Sequence, residues 1–374
     1  MSGPEQELQQ LSDSGLLRTL RPLDSPSGPQ VTRDGLPLWN FASNDYLGLA
    51  NDPRLVAAFQ EGLSLYGAGS AASRLITGTL PPHEHFEQQL AAAKLSEAAL
   101  LFASGFATAI GVIPALVGKD DHVIVDKLSH ASLIDGARLS GATLRVFPHN
   151  DVRRLGELLE KIRSKSTGRI LILTESVFSM DGDLCPLSEI VELKDRFGAV
   201  LLLDEAHGFG ILGPTGMGLA EELGLQDRID FHMGTLSKAA GLSGAYIACS
   251  ASWRDLLINR ARSFIYSTAP PPALAHAASA SLEIIQSGAE LRNRLQENIR
   301  LLDTDAITPI IPKILGENEQ VLAASTHLEE AGFLVPAIRY PTVPRGTARL
   351  RVSLSAAHPA SAVSSLSEAL HQLP

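Results

Sequence analysis

Val200-Leu201-Leu202-Leu203-Asp204-Glu205-Ala206-His207 is an unbroken apolar run that stops abruptly on two acids and then a histidine. A run this short, bounded by loop residues, reads as a strand buried on both faces, and such strands belong to parallel sheets covered by helices. The next run, Asp230 to Gly234, leads straight into Thr235-Leu236-Ser237-Lys238. Outward from this pair, strands are expected at His122 to Asp126, Thr143 to Phe147, Arg169 to Glu175 and Ala245 to Ser250. Between two of them Leu155, Leu158, Leu159 and Ile162 recur at i, i+3, i+4 and i+7 behind the cap candidates Asn150 and Asp151, which spells an amphipathic helix. Another helix is expected over His83 to Leu95, after Pro81-Pro82. Strands alternating with helices argue for βαβ units, hence an α/β fold with a mainly parallel sheet.

The alternation ends at Ser267-Thr268-Ala269-Pro270-Pro271-Pro272, and a long helical stretch follows over roughly 273–302. Residues 1–40 are therefore read as an N-terminal arm, 41–272 as a large α/β domain and 273–374 as a small C-terminal α+β domain. The small domain has expected elements at Ile307 to Ile311, Glu319 to Ala331, Arg349 to Leu354 and Ser361 to Leu373. Lys plus Arg number 31 against 41 Asp plus Glu, a net charge of −10 that offers no footprint for nucleic acid or an anionic membrane. Any anionic ligand must be met by local Arg or Lys. The two cysteines, Cys185 and Cys249, form no CxxC pair, so neither a disulfide framework nor a structural zinc site is expected, and a reducing cytoplasm fits. The acidic start lacks the apolar core of a secretory signal. Ala98 to Val117 carries no charge and is long enough to span a bilayer, but Ser104, Gly105, Thr108, Gly111 and Pro114 interrupt it. It reads instead as a buried strand, Leu100-Leu101-Phe102, running into a buried helix.

Open α/β sheets hold their ligands at the carboxyl ends of the strands. Those ends deliver Asp204-Glu205-Ala206-His207, Thr235 to Lys238, Ser104-Gly105-Phe106, His130 and Ser179. Taken singly each has an ordinary reading: Asp204 a helix cap, Lys238 a surface lysine, His130 and His207 core histidines. Their joint placement points elsewhere. An acid closing one strand with a lysine just beyond the next is what a pyridoxal-phosphate site requires: the lysine supplies the Schiff base, and the carboxylate keeps the pyridine nitrogen protonated. Ser104-Gly105-Phe106 at a helix start would offer backbone N–H groups and the helix dipole to a phosphate. Gly208-Phe209-Gly210-Ile211-Leu212-Gly213 matches G-x-G-x-x-G, yet it continues into Pro214-Thr215-Gly216 rather than a helix, and the preceding acids would repel a pyrophosphate. It reads as a Gly-rich loop. His83-Glu84-His85 lacks the i, i+4 spacing that a helical metal site needs, and no metal is expected.

These landmarks come in a fixed order. Asn44-Asp45-Tyr46-Leu47-Gly48-Leu49, Gly67-Ala68-Gly69-Ser70 and Ser73-Arg74-Leu75-Ile76-Thr77-Gly78-Thr79 precede Ser104-Gly105-Phe106-Ala107 and Leu128-Ser129-His130-Ala131-Ser132. Val177-Phe178-Ser179-Met180-Asp181-Gly182-Asp183, Asp204 to Gly208, Thr235 to Lys238 and Ala337 to Pro344 follow. In this the chain resembles the α-oxoamine synthases, fold-type I pyridoxal-phosphate transferases, over about residues 15–372. The resemblance implies that Lys238 holds the cofactor, Asp204 pairs with its ring nitrogen, His207 bonds its ring hydroxyl and His130 stacks on the ring. It implies cofactor contacts for Ser179, phosphate contacts for Gly105, Phe106 and Thr235, and a phosphate contact for Thr268 across a homodimer. It implies Lys238, His130 and Asp204 as catalytic residues, Arg339 as clamp for an amino-acid carboxylate, and Arg18, Asn44, His130 and Thr342 as further substrate contacts. Within the family the similarity favours the members of biotin biosynthesis that condense L-alanine with a pimeloyl thioester, on CoA or a carrier protein. A member joining glycine to acetyl-CoA, and a non-catalytic partner subunit of the same fold, are the alternatives.

Overall fold

Three central strands of the largest sheet, Val200–Asp204, Ile170–Glu175 and His122–Asp126, separate two cores. On Val200–Asp204, Leu201 and Leu203 pack into one apolar cluster and Leu202 into another, and on Ile170–Glu175 Ile170 and Ile172 face away from Leu171 and Leu173. All seven side chains are excluded from solvent, which stabilises by about 1.5–3 kcal/mol each. The sequence alternates faces with period two, and both faces are apolar because helices cover both.

The structure is a computed structural model and describes residues 3–373; residues 1, 2 and 374, at the extremes of the expected arm and C-terminal domain, lie outside the described residues. In chain order the strands are β1 (Gln30–Arg33), β2 (Leu36–Asn40), β3 (Ala98–Phe102), β4 (His122–Asp126), β5 (Thr143–Phe147), β6 (Ile170–Glu175) and β7 (Val200–Asp204). They continue as β8 (Phe231–Thr235), β9 (Ala245–Cys249), β10 (Ile310–Gly316), β11 (Phe333–Leu334), β12 (Ala337–Ile338) and β13 (Ala348–Ser353). Two compact units result, one made of Asp52–Ser179 and Asp183–Arg292, the other of the chain up to Asn51, Met180–Gly182 and the chain from Asn293.

The larger unit holds the seven-stranded sheet, in the order β3-β9-β8-β7-β6-β4-β5. β8, β7, β6, β4 and β5 are parallel neighbours, whereas β9 runs antiparallel to both β8 and β3. The expected strands of this sheet are present within two residues of their anticipated ends, whereas in the smaller unit the strand expected at Ile307 to Ile311 runs instead over Ile310–Gly316. The reversal of β9 has a local cause, since only Leu236 to Gly244 connect it to β8, too few residues for a crossover helix. Ala98–Val117 divides into β3 and the helix Gly105–Leu116. No helix among the described residues is long and apolar enough to cross a membrane. The expected 273–302 helix is two, Pro272–Ser287 and Ala289–Leu302, broken at Gly288. The first of them lies inside the larger unit, past the anticipated boundary at 272, because it packs on the helices Pro53–Tyr66 and Pro81–Ala93. Gly62 makes that approach feasible: a Cβ there would sit 2.8 Å from the Ala273 Cα.

The smaller unit joins the two ends of the chain. β1 and β2 form a hairpin whose turn residues Asp34 and Gly35 both have positive φ, and β2 pairs in parallel with β11. A second sheet, β10-β13-β12, is antiparallel.

Candidate active site

Four parallel strands of the larger unit stop side by side on polar residues: β4 on Asp126, β6 on Glu175, β7 on Asp204 and β8 on Thr235. β3 runs in the same sense, two reversals away, so the helix that begins at Gly105 starts at this edge too. A cavity of about 190 Å3 lies here, lined by Gly105, Phe106, His130, Ser132, Glu175, Asp204, Ala206, His207, Met233, Gly234, Thr235, Ser237 and Lys238. The short β8–β9 connection carries Lys238 back over the strand ends, and its Nζ lies 2.9 Å from His207 Nε2.

Asp204 is buried and accepts the Ala206 N–H at 2.9 Å. Burial raises its pKa, opposed by Lys238, by that N–H and by His130. Glu175 stands opposite Asp204 in the β6–β7 register. Burial and the Asp204 charge push Glu175 well above the ordinary carboxyl range. Burial raises both acids, but the Lys238 ammonium holds Asp204 back more effectively, so of the two Glu175 is pushed further towards its neutral form. Glu175 in turn accepts the backbone N–H of His130, which fixes the start of the helix Ala131–Leu139. His130 Nδ1 accepts the Ser132 N–H at 3.2 Å and lies 2.8 Å from the Ser132 hydroxyl, so the neutral ring carries its proton on Nε2. Burial lowers the pKa of His130, favouring that neutral form.

At the other side of the cavity the Ser104 hydroxyl caps the Ala107 N–H at 3.1 Å. The first-turn N–H groups of Gly105 and Phe106 remain as donors for an anion, and a Cβ on Gly105 would meet only the Met233 methyl at 4.0 Å. The Thr235 hydroxyl lies 2.7 Å from that of Ser237 and 2.9 Å from the Gly244 carbonyl, closing the Lys238 loop. The cavity thus offers an amine, a carboxylate opposite it, an imidazole with a defined N–H and a helix start for a phosphate. That donor set fits a ring-shaped aldehyde cofactor with a phosphate arm.

The chain matches the model of the aminotransferase class I and II family over residues 37–370. It is 49% identical to the 8-amino-7-oxononanoate synthase of Anaeromyxobacter dehalogenans over 97% of this chain and 93% of that one. The chain belongs to the 8-amino-7-oxononanoate synthase family. Among solved structures, that family's member from Francisella tularensis is similar with a TM-score of 0.74 at 29% identity, over 89% of this chain and 96% of that one. A variant serine palmitoyltransferase from S. paucimobilis, with a bound pyridoxal-phosphate–myriocin aldimine, superposes with a TM-score of 0.92 at 30% identity, over 98% and 95%.

In this member of the 8-amino-7-oxononanoate synthase family, Lys238, Asp204, His207, His130, Gly105, Phe106 and Thr235 all line the one cavity. Ser179 and Thr268 are not among its lining residues; Thr268 forms an isolated bridge with Ser73 in the larger unit. Arg18, Asn44, Arg339 and Thr342 belong to the smaller unit. There an Arg18 guanidinium N–H donates to the Thr342 hydroxyl at 3.3 Å, and Arg339 donates to the Gly15 carbonyl. Burial, then the positive charge of Arg18, lowers the pKa of Arg339; an anion between the two would relieve that repulsion. The Asn44 amide oxygen accepts from Arg351 at 3.0 Å and from the Tyr46 hydroxyl at 3.2 Å.

Glu175 was not anticipated as a site residue, and Ser132 and Ser237, though they lie within the quoted motifs, were assigned no role. Glu175 did carry a signal, an acid ending an apolar strand just as Asp204 does, but only strand order reveals that the two ends are neighbours. A roomier cleft of about 460 Å3 opens elsewhere on the larger unit, and its buried charges, Arg74 and Glu87, are paired at 2.7 Å. His83 has an ordinary role: its Nδ1 accepts the Leu80 N–H at 3.1 Å and Nε2 meets the Pro270 carbonyl at 2.8 Å. The Gly208–Gly213 stretch forms tight turns, with Gly210 and Gly213 at positive φ, and a helix begins only at Leu219.

Proposed function

We propose that this chain is a pyridoxal-phosphate-dependent acyltransferase that condenses L-alanine with a pimeloyl thioester, yielding 8-amino-7-oxononanoate, carbon dioxide and the free thiol of CoA or a carrier protein. The single observation that carries this reading is its 49% identity, over nearly the full length, to a relative named for that product. Lys238 Nζ would hold the cofactor, Asp204 would pair with its ring nitrogen, His207 with its ring hydroxyl, and Gly105, Phe106 and Thr235 with its phosphate. Bound there, the cofactor supplies an electron sink for negative charge at the amino-acid Cα. Lys238, once released, takes the Cα proton at Nζ, a step typically worth about 10² to 10⁴ in rate. His130 offers its Nε2–H to the oxygen of the thioester carbonyl as charge builds there. Arg339 clamps the alanine carboxylate with its planar fork of donors, and Arg18 with Thr342 meets the acyl substrate.

A homodimer completes the proposal, with Thr268 reaching the phosphate of the partner's site. The exposed apolar side chains Leu75, Ile76 and Tyr266 on the larger unit support such an interface. Light scattering at twice the chain mass tests it. The nearest competing reading is another amino acid and thioester pair, favoured by the 0.92 TM-score to a serine palmitoyltransferase. A matrix of alanine, glycine and serine against acetyl-, succinyl-, pimeloyl- and palmitoyl-CoA decides. Alanine with pimeloyl-CoA should lead in kcat/KM, and a higher value for any other pair would overturn the assignment.

A further inference from the structure

Directly behind Asp204, on the side away from the cavity, lies a charged network that the proposed chemistry does not use. Lys94 and Glu205 are both wholly excluded from solvent, and Lys94 Nζ donates to Glu205 Oε2 at 2.6 Å and to the Met217 carbonyl at 2.5 Å. The ammonium also faces the rings of Phe209 and Tyr246, with centroids 5.2 and 5.7 Å away. Glu205 Oε1 accepts the Ala220 N–H at 3.1 Å, and Oε2 lies 3.4 Å from Nδ1 of the buried His232, whose Nε2 meets the Gln226 carbonyl. Its backbone N–H donates to Met233 and its carbonyl accepts from Gly208 and Phe209. Gly218, at φ 103°, lets the loop close on it, since a Cβ there would stand 2.3 Å from Glu205 Oε1.

Two buried ions at such cost to desolvation are weak evidence for stability, so their position matters more than their number. Glu205 is the peptide neighbour of Asp204, and the loop it pins carries His207 to Lys238. We propose that Lys94 and Glu205 are positioning residues for the cofactor site: Lys94 cancels the Glu205 charge, so that Asp204 stays ionised beside a second carboxylate, and Glu205 anchors the Asp204–His207 turn. This rests on the reading of Asp204 as partner of the cofactor ring. The groups facing Asp204 are Lys238, His130, Glu175 and Glu205, with Tyr246 further back. Lys238 and His130 favour its ionised form, while Glu205 opposes it. Lys94 and His232 hold Glu205 itself at about 2 despite its burial. Without Lys94, Glu205 would lose its nearest opposite charge and keep only the His232 contact beside it.

The test is the pH dependence of pyridoxal phosphate affinity, followed by absorbance titration of apoenzyme. Affinity should fall as pH drops through the titration of Asp204. In Lys94→Met this acid limb should move to higher pH by about one unit, a tenfold change in proton concentration; in Glu205→Gln it should move the other way. Lys94→Met/Glu205→Gln, which removes both charges, should fold and return the limb towards wild type. An unshifted limb in Lys94→Met, or a double variant no better than Lys94→Met in folding or in limb position, overturns the inference while leaving the role of Asp204 standing. In Asp204→Asn the limb should vanish; its persistence would overturn the reading of Asp204 itself and the inference with it.

Discussion

Lys238, whose Nζ lies 2.9 Å from His207 Nε2, is the residue on which covalent attachment and proton transfer would both depend. Lys238→Ala should fold, bind pyridoxal phosphate without the absorbance band of a covalent adduct and lose turnover, by at least the roughly 10² to 10⁴ that a positioned base supplies. Near-normal turnover in the purified variant would reassign the base. On the proposed reading Arg339 and Arg18 would divide the substrates between them. Arg339→Lys keeps the charge but loses the paired geometry, and with charge-assisted hydrogen bonds contributing about 1.5–3 kcal/mol, alanine Kd should rise about tenfold or more. Arg18→Ala should raise KM for the thioester and leave the alanine-induced spectral shift in place. Spectral titration with alanine alone separates the two, and loss of alanine binding in Arg18→Ala would count against this division.

At the scale of elements, the helix Gly105–Leu116 has two tasks that one substitution can separate. Ser104 caps it through the Ala107 N–H, and the same turn presents Gly105 and Phe106 to the cavity. Ser104→Ala should cost about 1 kcal/mol of stability, as lost caps do. It should also loosen the phosphate contacts, so apoenzyme denaturation and cofactor titration should both respond. A change in the melting curve with an unchanged pyridoxal phosphate Kd would show that this helix start is structural alone. The preceding strand explains why the turn is so well placed: β3 is bound on β9 along its whole length, so the register of five residue pairs fixes where the helix begins.

A pH-dependent contribution to stability belongs to the molecule as a whole, because His149 ties β4 to the segment following β6. Its Nδ1 meets Asp126 at 3.0 Å and its Nε2 meets Asp183 at 2.7 Å. Burial works against the charged ring, yet the hydrogen bonds to Asp126 and Asp183 outweigh it and raise the pKa to about 10. A folded-state pKa above the unfolded one means the contribution is complete below about pH 6.5 and is lost as pH rises towards 10. Wild type and His149→Gln should therefore differ in Tm most at pH 6 and converge by about pH 10. A difference that is constant across that range would show that the histidine contributes by packing on Phe178, whose ring it meets edge-on at 4.3 Å, and not by charge.

Strand positions were legible because a doubly buried strand writes its own signature, an apolar run that ends where backbone meets solvent, and the residues at those ends are local information too. Asp204, His207, Lys238, His130 and the Ser104 turn could thus be singled out as candidates without a partner in view. What only the tertiary structure decided is which ends become neighbours. Glu175 acquires its meaning by facing Asp204 in register, and β9 reverses because its connection is short. The helix Pro272–Ser287 joins the larger unit because Gly62 admits it. Lys94 is the sharpest case. In the sequence it is one lysine at the end of a helix, 111 residues from Glu205, and only folding brings the two charges together.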